Sequence, residues 1–135
     1  MSDATVEVVW DDGLRFEGRG RGGVPVVLDG DSAAGPSPTE SLLMGLAACM
    51  GADVVDILKK RRVPLEALSV RAEGDRRPEP PRWFTAIRLT YVTQGVPEED
   101  VDKLQRAVDL SRDRYCSVLH TLRPDVDVDI RIEAA

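Results

Sequence analysis

Apolar and polar positions alternate at the start of the chain. Val6, Val8 and Trp10 stand against Glu7, Val9 and Asp11, which predicts a strand. Asp12-Gly13 is a hairpin signal, residues 14–18 predict the returning strand, and residues 24–28 predict a third. The period then changes. Ser37-Pro38-Thr39-Glu40 places an N-cap serine before a proline at the first helical position, with a glutamate three residues after the cap. This capping box opens a helix that can run to about Arg62, where Pro64 opposes continuation. Leu42, Leu43, Met44, Leu46, Ala47, Ala48, Cys49 and Met50 leave its first half without a polar face, so protein must surround it. The second half becomes amphipathic and ends in Lys59, Lys60, Arg61 and Arg62, cations that suit the negative end of the helix dipole.

Beyond Pro64 the alternation returns. Leu68, Val70 and Ala72 predict one strand, and residues 83–93, with Ile87, Leu89 and Tyr91 on one face, predict a second, joined as a long antiparallel hairpin. Pro97-Glu98-Glu99-Asp100 opens another helix, with Val101, Leu104 and Val108 at helical spacing. The segment around Tyr115-Cys116-Ser117-Val118 reads as a further turn or short helix, and Val126, Val128, Ile130 and Ile132 predict a last strand. The fold class is therefore α+β, a mainly antiparallel sheet wrapped around a long central helix. Six strands of one chain cover that helix on one side only, so an intimate homodimer is expected.

Composition narrows the classes. A chain of 135 residues fits a single domain, 1–135, large enough to fold without a metal or disulfide staple. The net charge of −6 speaks against a nucleic-acid grip, which needs clustered Lys and Arg. The start of the chain lacks the basic-then-apolar pattern of a secretory signal, and the unbroken apolar run, residues 42–52, is too short to span a bilayer. No membrane and a soluble, cytoplasmic protein are the expectation.

The candidate chemistry lies in two cysteines, Cys49 and Cys116. With one histidine, His120, they make a poor metal set, so neither a metal nor another cofactor is expected. Two inert buried thiols or a redox pair remain. Cys49 sits too deep in its helix for the N-terminal dipole to activate it, and Asp53, one turn on, opposes a thiolate. Arg112, Arg114 and His120 surround Cys116 in sequence, either as activating groups or as solvated charges and a local hydrogen bond. Glu40 is explained by the capping box; it is also a candidate carboxylate for orienting an arginine or polarising a substrate.

The run Gly35-Pro36-Ser37-Pro38-Thr39-Glu40-Ser41-Leu42-Leu43-Met44-Gly45-Leu46-Ala47-Ala48-Cys49, followed by Asp53-Val54-Val55-Asp56-Ile57-Leu58-Lys59-Lys60, resembles the central-helix signature of the OsmC/Ohr family. Tyr115-Cys116-Ser117-Val118 resembles that family's second cysteine motif. The resemblance implies an interwoven homodimer with active sites at the subunit interface. It also implies a thiol-dependent peroxidase for organic or lipid hydroperoxides. Carried over, Cys49 becomes the sulfenic acid, Cys116 closes the disulfide, Glu40 is the third site residue, and a dithiol reductant recycles the pair. One departure is visible. The peroxidases use an arginine after the first strand or shortly before the helix; this chain has Asp11-Asp12 at the first place and no basic residue after Arg21 at the second. The resemblance is thus to a less characterised branch. A small-ligand binding dimer and a stoichiometric redox sensor are the alternative functions.

Overall fold

A computed structural model of the chain describes residues 2–135. The contacts divide the chain into two compact units, residues up to Leu42 and Leu43–Ala135.

In the first unit, β1 (Glu7–Asp12), β2 (Arg15–Arg19) and β3 (Pro25–Asp29) form an antiparallel sheet in that order. Gly13 turns the first hairpin at φ 55°, a conformation that suits glycine. Trp10 opposes Phe16, and Phe16 opposes Leu28, so the aromatic and aliphatic side chains of this face stand together. Trp10 is 63% exposed and Val8 52%. The loop after β3 is tied by the Asp29 carboxylate, which accepts from the Asp31 and Ala34 N–H groups at 2.9 Å each. Those bonds hold the Asp29 carboxyl below the usual carboxylate range.

The long helix α1 covers Pro38–Lys60, about six turns. The capping box forms as predicted: the Glu40 N–H donates to Ser37 Oγ at 3.1 Å, and Glu40 Oε1 accepts from the Ser37 N–H at 2.9 Å. In the second unit Leu46, Met50, Val54 and Leu58, four residues apart, are buried as one stripe. The opposite side is left open by the single chain, as expected of six strands that cover one side of the helix. Met44 is 56% exposed and Val55 46%, and Gly45, Ala48 and Ala52 are exposed between them. By length and composition α1 could also cross a membrane. The apolar run of residues 42–52 understated this, because the helix continues well past it. Core helices of soluble proteins pass the same test.

Strands β4 (Ala67–Arg76), β5 (Phe84–Gln94) and β6 (Asp127–Ala134) form the second sheet, with β5 in the centre. The β4–β5 pair is the predicted antiparallel hairpin, but β6 lies parallel to β5. Parallel pairing needs a crossover. A 3₁₀ turn (Glu98–Asp100), α2 (Val101–Leu110), a π-helical turn (Ser111–Tyr115) and α3 (Ser117–Thr121) supply it. Ile87, Leu89 and Tyr91 of β5, Leu104, Ala107 and Val108 of α2, and Cys116 complete one core with the buried stripe of α1. At Gly51 a Cβ would meet Val70 at 3.4 Å, so α1 approaches β4 closely there.

Candidate functional site

Two chain segments converge in the second unit. Cys49 and Asp53 are four residues apart on α1 and therefore share a face. Cys116 joins them from the crossover. The sulfurs of Cys49 and Cys116 and a carboxylate oxygen of Asp53 all lie within 4.8 Å of one another. Both cysteines are free thiols, Cys49 half-buried and Cys116 wholly buried.

The backbone of the crossover places Cys116. The Cys116 N–H donates to the Ser111 carbonyl at 2.9 Å, closing a wide π-type turn. Cys116 itself has extended backbone geometry (φ −73°, ψ 102°) and caps α3, its Sγ accepting from the Leu119 N–H at 3.3 Å. The same turn aims Ser111 at α1, where its hydroxyl donates to Asp53 Oδ2 at 2.8 Å. Ser111 is fully buried, so this hydrogen bond fixes the carboxylate in a protected position. Tyr91 lies in the adjoining core, and among the described residues its buried hydroxyl has no hydrogen-bond partner.

Electrostatics make Cys116 a poor nucleophile. Burial pushes its thiol up to about 11, aided by Cys49 and Asp53; the Leu119 N–H acts in the opposite sense and is outweighed. Burial, then Cys116 and Asp53, likewise raise the Tyr91 hydroxyl above its ordinary range. The basic residues near Cys116 in sequence do not activate it. Arg112 bonds Asp113 at 2.8 Å and reaches Asp109 at 3.4 Å, and His120 Nε2 pairs with the Arg112 carbonyl at 2.9 Å. Of the two readings of this cluster, solvated charges with a local hydrogen bond is the observed one.

Glu40 belongs to the other unit. Its Oε1 accepts from Ser32 Oγ at 2.8 Å as well as from the Ser37 N–H, and these bonds hold its carboxyl below the ordinary value. Two arginines of that unit, Arg15 and Arg19, have local carboxylate partners. Arg15 lies 3.5 Å from Asp11 and 3.7 Å from Asp12, and Arg19 pairs with Glu17.

Sequence reasoning placed Asp53 on the face of Cys49 but treated it only as an opposing charge. It had no signal for Ser111, because a π-type turn leaves no periodic mark. Tyr91 read as an ordinary core residue of a strand. Beside the cluster, a cavity of about 560 Å³ borders Asp53 and is walled by Ile57, Leu110 and Tyr115, with Lys60 and Arg61 at its rim. Lys60 is paired with Asp56 at 2.8 Å.

Comparison with known proteins agrees with this arrangement of elements. The profile of the family described as OsmC-like protein matches residues 29–131. Protein YhfA of Escherichia coli (strain K12) is 39% identical over 122 residues, covering 90% of each chain. A hypothetical protein from Aquifex aeolicus VF5 superposes with a TM-score of 0.86 at 30% identity, over 100% of this chain and 98% of that one. An organic hydroperoxide resistance protein OsmC from Legionella pneumophila shares the fold at 16% identity, with a TM-score of 0.68 over 98% of both chains. The helix signature, the second cysteine motif, the two three-stranded sheets and a profile match across both units lead to one assignment: the chain belongs to the OsmC-like protein family.

Proposed function

We propose that this protein is a thiol-dependent peroxidase that reduces organic hydroperoxides through Cys49 and Cys116, working as a homodimer of one OsmC-like domain per chain. The observation that carries the reading is the approach of the two sulfurs to within 4.8 Å from separate segments of the chain. Buried structural thiols have no need to face each other, whereas a second thiol within reach preserves a sulfenic acid from over-oxidation. The name of the Legionella protein, at shared fold only, is consistent with this substrate class.

Exposure divides the roles. Cys49 is half-buried and Cys116 fully buried, so a peroxide meets Cys49 first. The Cys49 thiolate attacks one peroxide oxygen, the O–O bond breaks, and the alkoxide takes a proton and departs as the alcohol. The resulting Cys49 sulfenic acid condenses with the Cys116 thiol, forming the disulfide and releasing water. A dithiol reductant supplies two electrons and two protons to restore both thiols. The raised Cys116 value keeps the resolving sulfur protonated at neutral pH, so it waits as a thiol and does not compete for peroxide. Glu40 serves as a positioning residue that locks the loop before α1, and a reducing cytoplasm suits two unbridged cysteines.

Stopped-flow oxidation by cumene hydroperoxide tests the reading. Wild-type protein should react at least about tenfold faster than a free thiol and end as the intramolecular disulfide. Cys116→Ser should stop at a sulfenic acid that dimedone traps, and Cys49→Ser should not react. A wild-type rate no greater than that of a free thiol would overturn the proposal.

A further inference from the structure

The side chains around Asp53 suggest a second use of the same cluster. Two sulfurs and a carboxylate oxygen face one another within 4.8 Å. Among the described residues, no Lys, Arg or His side chain bonds to any of the three; their hydrogen bonds come from the Ser111 hydroxyl and the Leu119 N–H. Such a group lowers its mutual repulsion either by staying protonated or by sharing a cation. We propose that Cys49, Asp53 and Cys116 bind a thiophilic divalent cation of the zinc class.

Donor type and geometry carry the assignment. Two soft sulfurs with one oxygen select zinc-like ions over magnesium or calcium, which take oxygen ligands. Bonds of about 2.3 Å to sulfur and about 2.0–2.2 Å to oxygen, in a tetrahedron, bring ligand atoms to roughly 3.5–3.8 Å apart. Contraction from within 4.8 Å to that spacing needs side-chain rotation of about 1 Å and no rebuilding of the backbone. From sequence, the two cysteines with His120 made a poor metal set; in the structure the His120 ring is engaged with the Arg112 carbonyl, and it is Asp53 that joins the two sulfurs.

Two further features fit a bound ion. Ser111 holds Asp53 Oδ2 at 2.8 Å, and among the described residues the other carboxylate oxygen has no side-chain partner, the arrangement by which outer hydrogen bonds orient a ligand. Tyr91, with no exposed surface, belongs to the same core as Cys116, and among the described residues its buried hydroxyl has no hydrogen-bond partner. A water in the fourth coordination position would give that hydroxyl a partner. Binding is not a redox step. Two S–H bonds break, two metal–sulfur bonds form, and two protons pass to the buffer. The inference goes beyond the peroxidase reading and does not need it, although metal and peroxide would compete for the same sulfurs.

Cobalt(II) is the probe, because its thiolate charge-transfer and tetrahedral d–d bands report the ligands directly. Reduced, metal-free protein should take up about one equivalent per chain, show both bands, and lose them when Zn²⁺ is added. Cys49→Ser and Cys116→Ser should each remove most of the charge-transfer intensity. Asp53→Asn should retain it but weaken binding by about tenfold or more. Thermal melting of each variant without metal checks that it folds. Absence of the charge-transfer band at stoichiometric cobalt, or equal affinity in folded wild type and Asp53→Asn, would overturn the assignment. Peroxide oxidation of the metal-free protein is scored separately. A cobalt-binding protein inert to peroxide supports the cation site and removes only the peroxidase; a peroxide-reactive protein without the cobalt spectrum does the reverse.

Discussion

Glu40 shows how one side chain serves a local purpose that sequence can read almost in full. Its carboxylate closes the capping box and reaches back to Ser32, so the loop before α1 is tied to the first helical turn. These hydrogen bonds favour the charged form and depress its folded value below 4.5. The sign follows from linkage: the contribution to stability is present above the unfolded value and is lost as pH falls through the depressed folded one. Glu40→Gln should therefore lower the melting temperature at pH 7, and the gap between variant and wild type should shrink as pH falls through the depressed folded value, where wild type also becomes neutral. Calorimetric melts of both proteins across that range check it. A gap that stays constant into strong acid would show that charge has no part in the cap. Cys116 is the opposite case. Its neighbours in sequence are basic, yet its neighbours in space are the core, Cys49 and Asp53, and these decide its protonation.

Elements with strong periodicity were legible. The capping box marked the start of α1, and alternation together with turn signals placed all six strands to within a few residues. What remained hidden depends on tertiary pairing. Nothing in Val126, Val128, Ile130 and Ile132 tells whether that strand runs with or against β5; the intervening crossover decides, and it makes the pair parallel. The π-type turn was equally silent, and with it the aim of Ser111 at Asp53. The buried stripe of α1 was more predictable, because Leu46, Met50, Val54 and Leu58 recur every four residues. Met50 is fully buried in the same core as Leu89 and Tyr91. Met50→Ala should cost about 2–5 kcal/mol, the sum of lost burial and a residual cavity. Urea unfolding at unchanged slope is the measurement, and a loss below about 1 kcal/mol would mean that the core collapses around the gap.

For the whole molecule, the main question is what covers the apolar surface that one chain leaves open. The exposed side of α1 carries Gly45, Ala48 and Ala52 on successive turns, flanked by Met44 and Val55, which are 56% and 46% exposed. In the other unit Val8, Trp10 and Val26 are more than half exposed on one face of their sheet. Each of these faces is an apolar surface of the kind that marks an interaction site, and each Å² covered is worth about 25 cal/mol. Small residues on α1 allow a second helix to approach closely, and a second copy of the chain supplies one with the same stripe, as a two-fold interface requires. Wild-type protein should accordingly sediment at the mass of two chains at micromolar concentration. Ala48→Arg places a long cation in the stripe without touching the buried residues Leu46 and Met50, so each chain should still fold. Its dimer dissociation constant should rise at least about tenfold, equivalent to about 1.4 kcal/mol. Sedimentation equilibrium over a concentration series reads both results. Wild type found as a single chain across that series, or Ala48→Arg dimerising as tightly as wild type, would mean that this face of α1 is not where two copies meet.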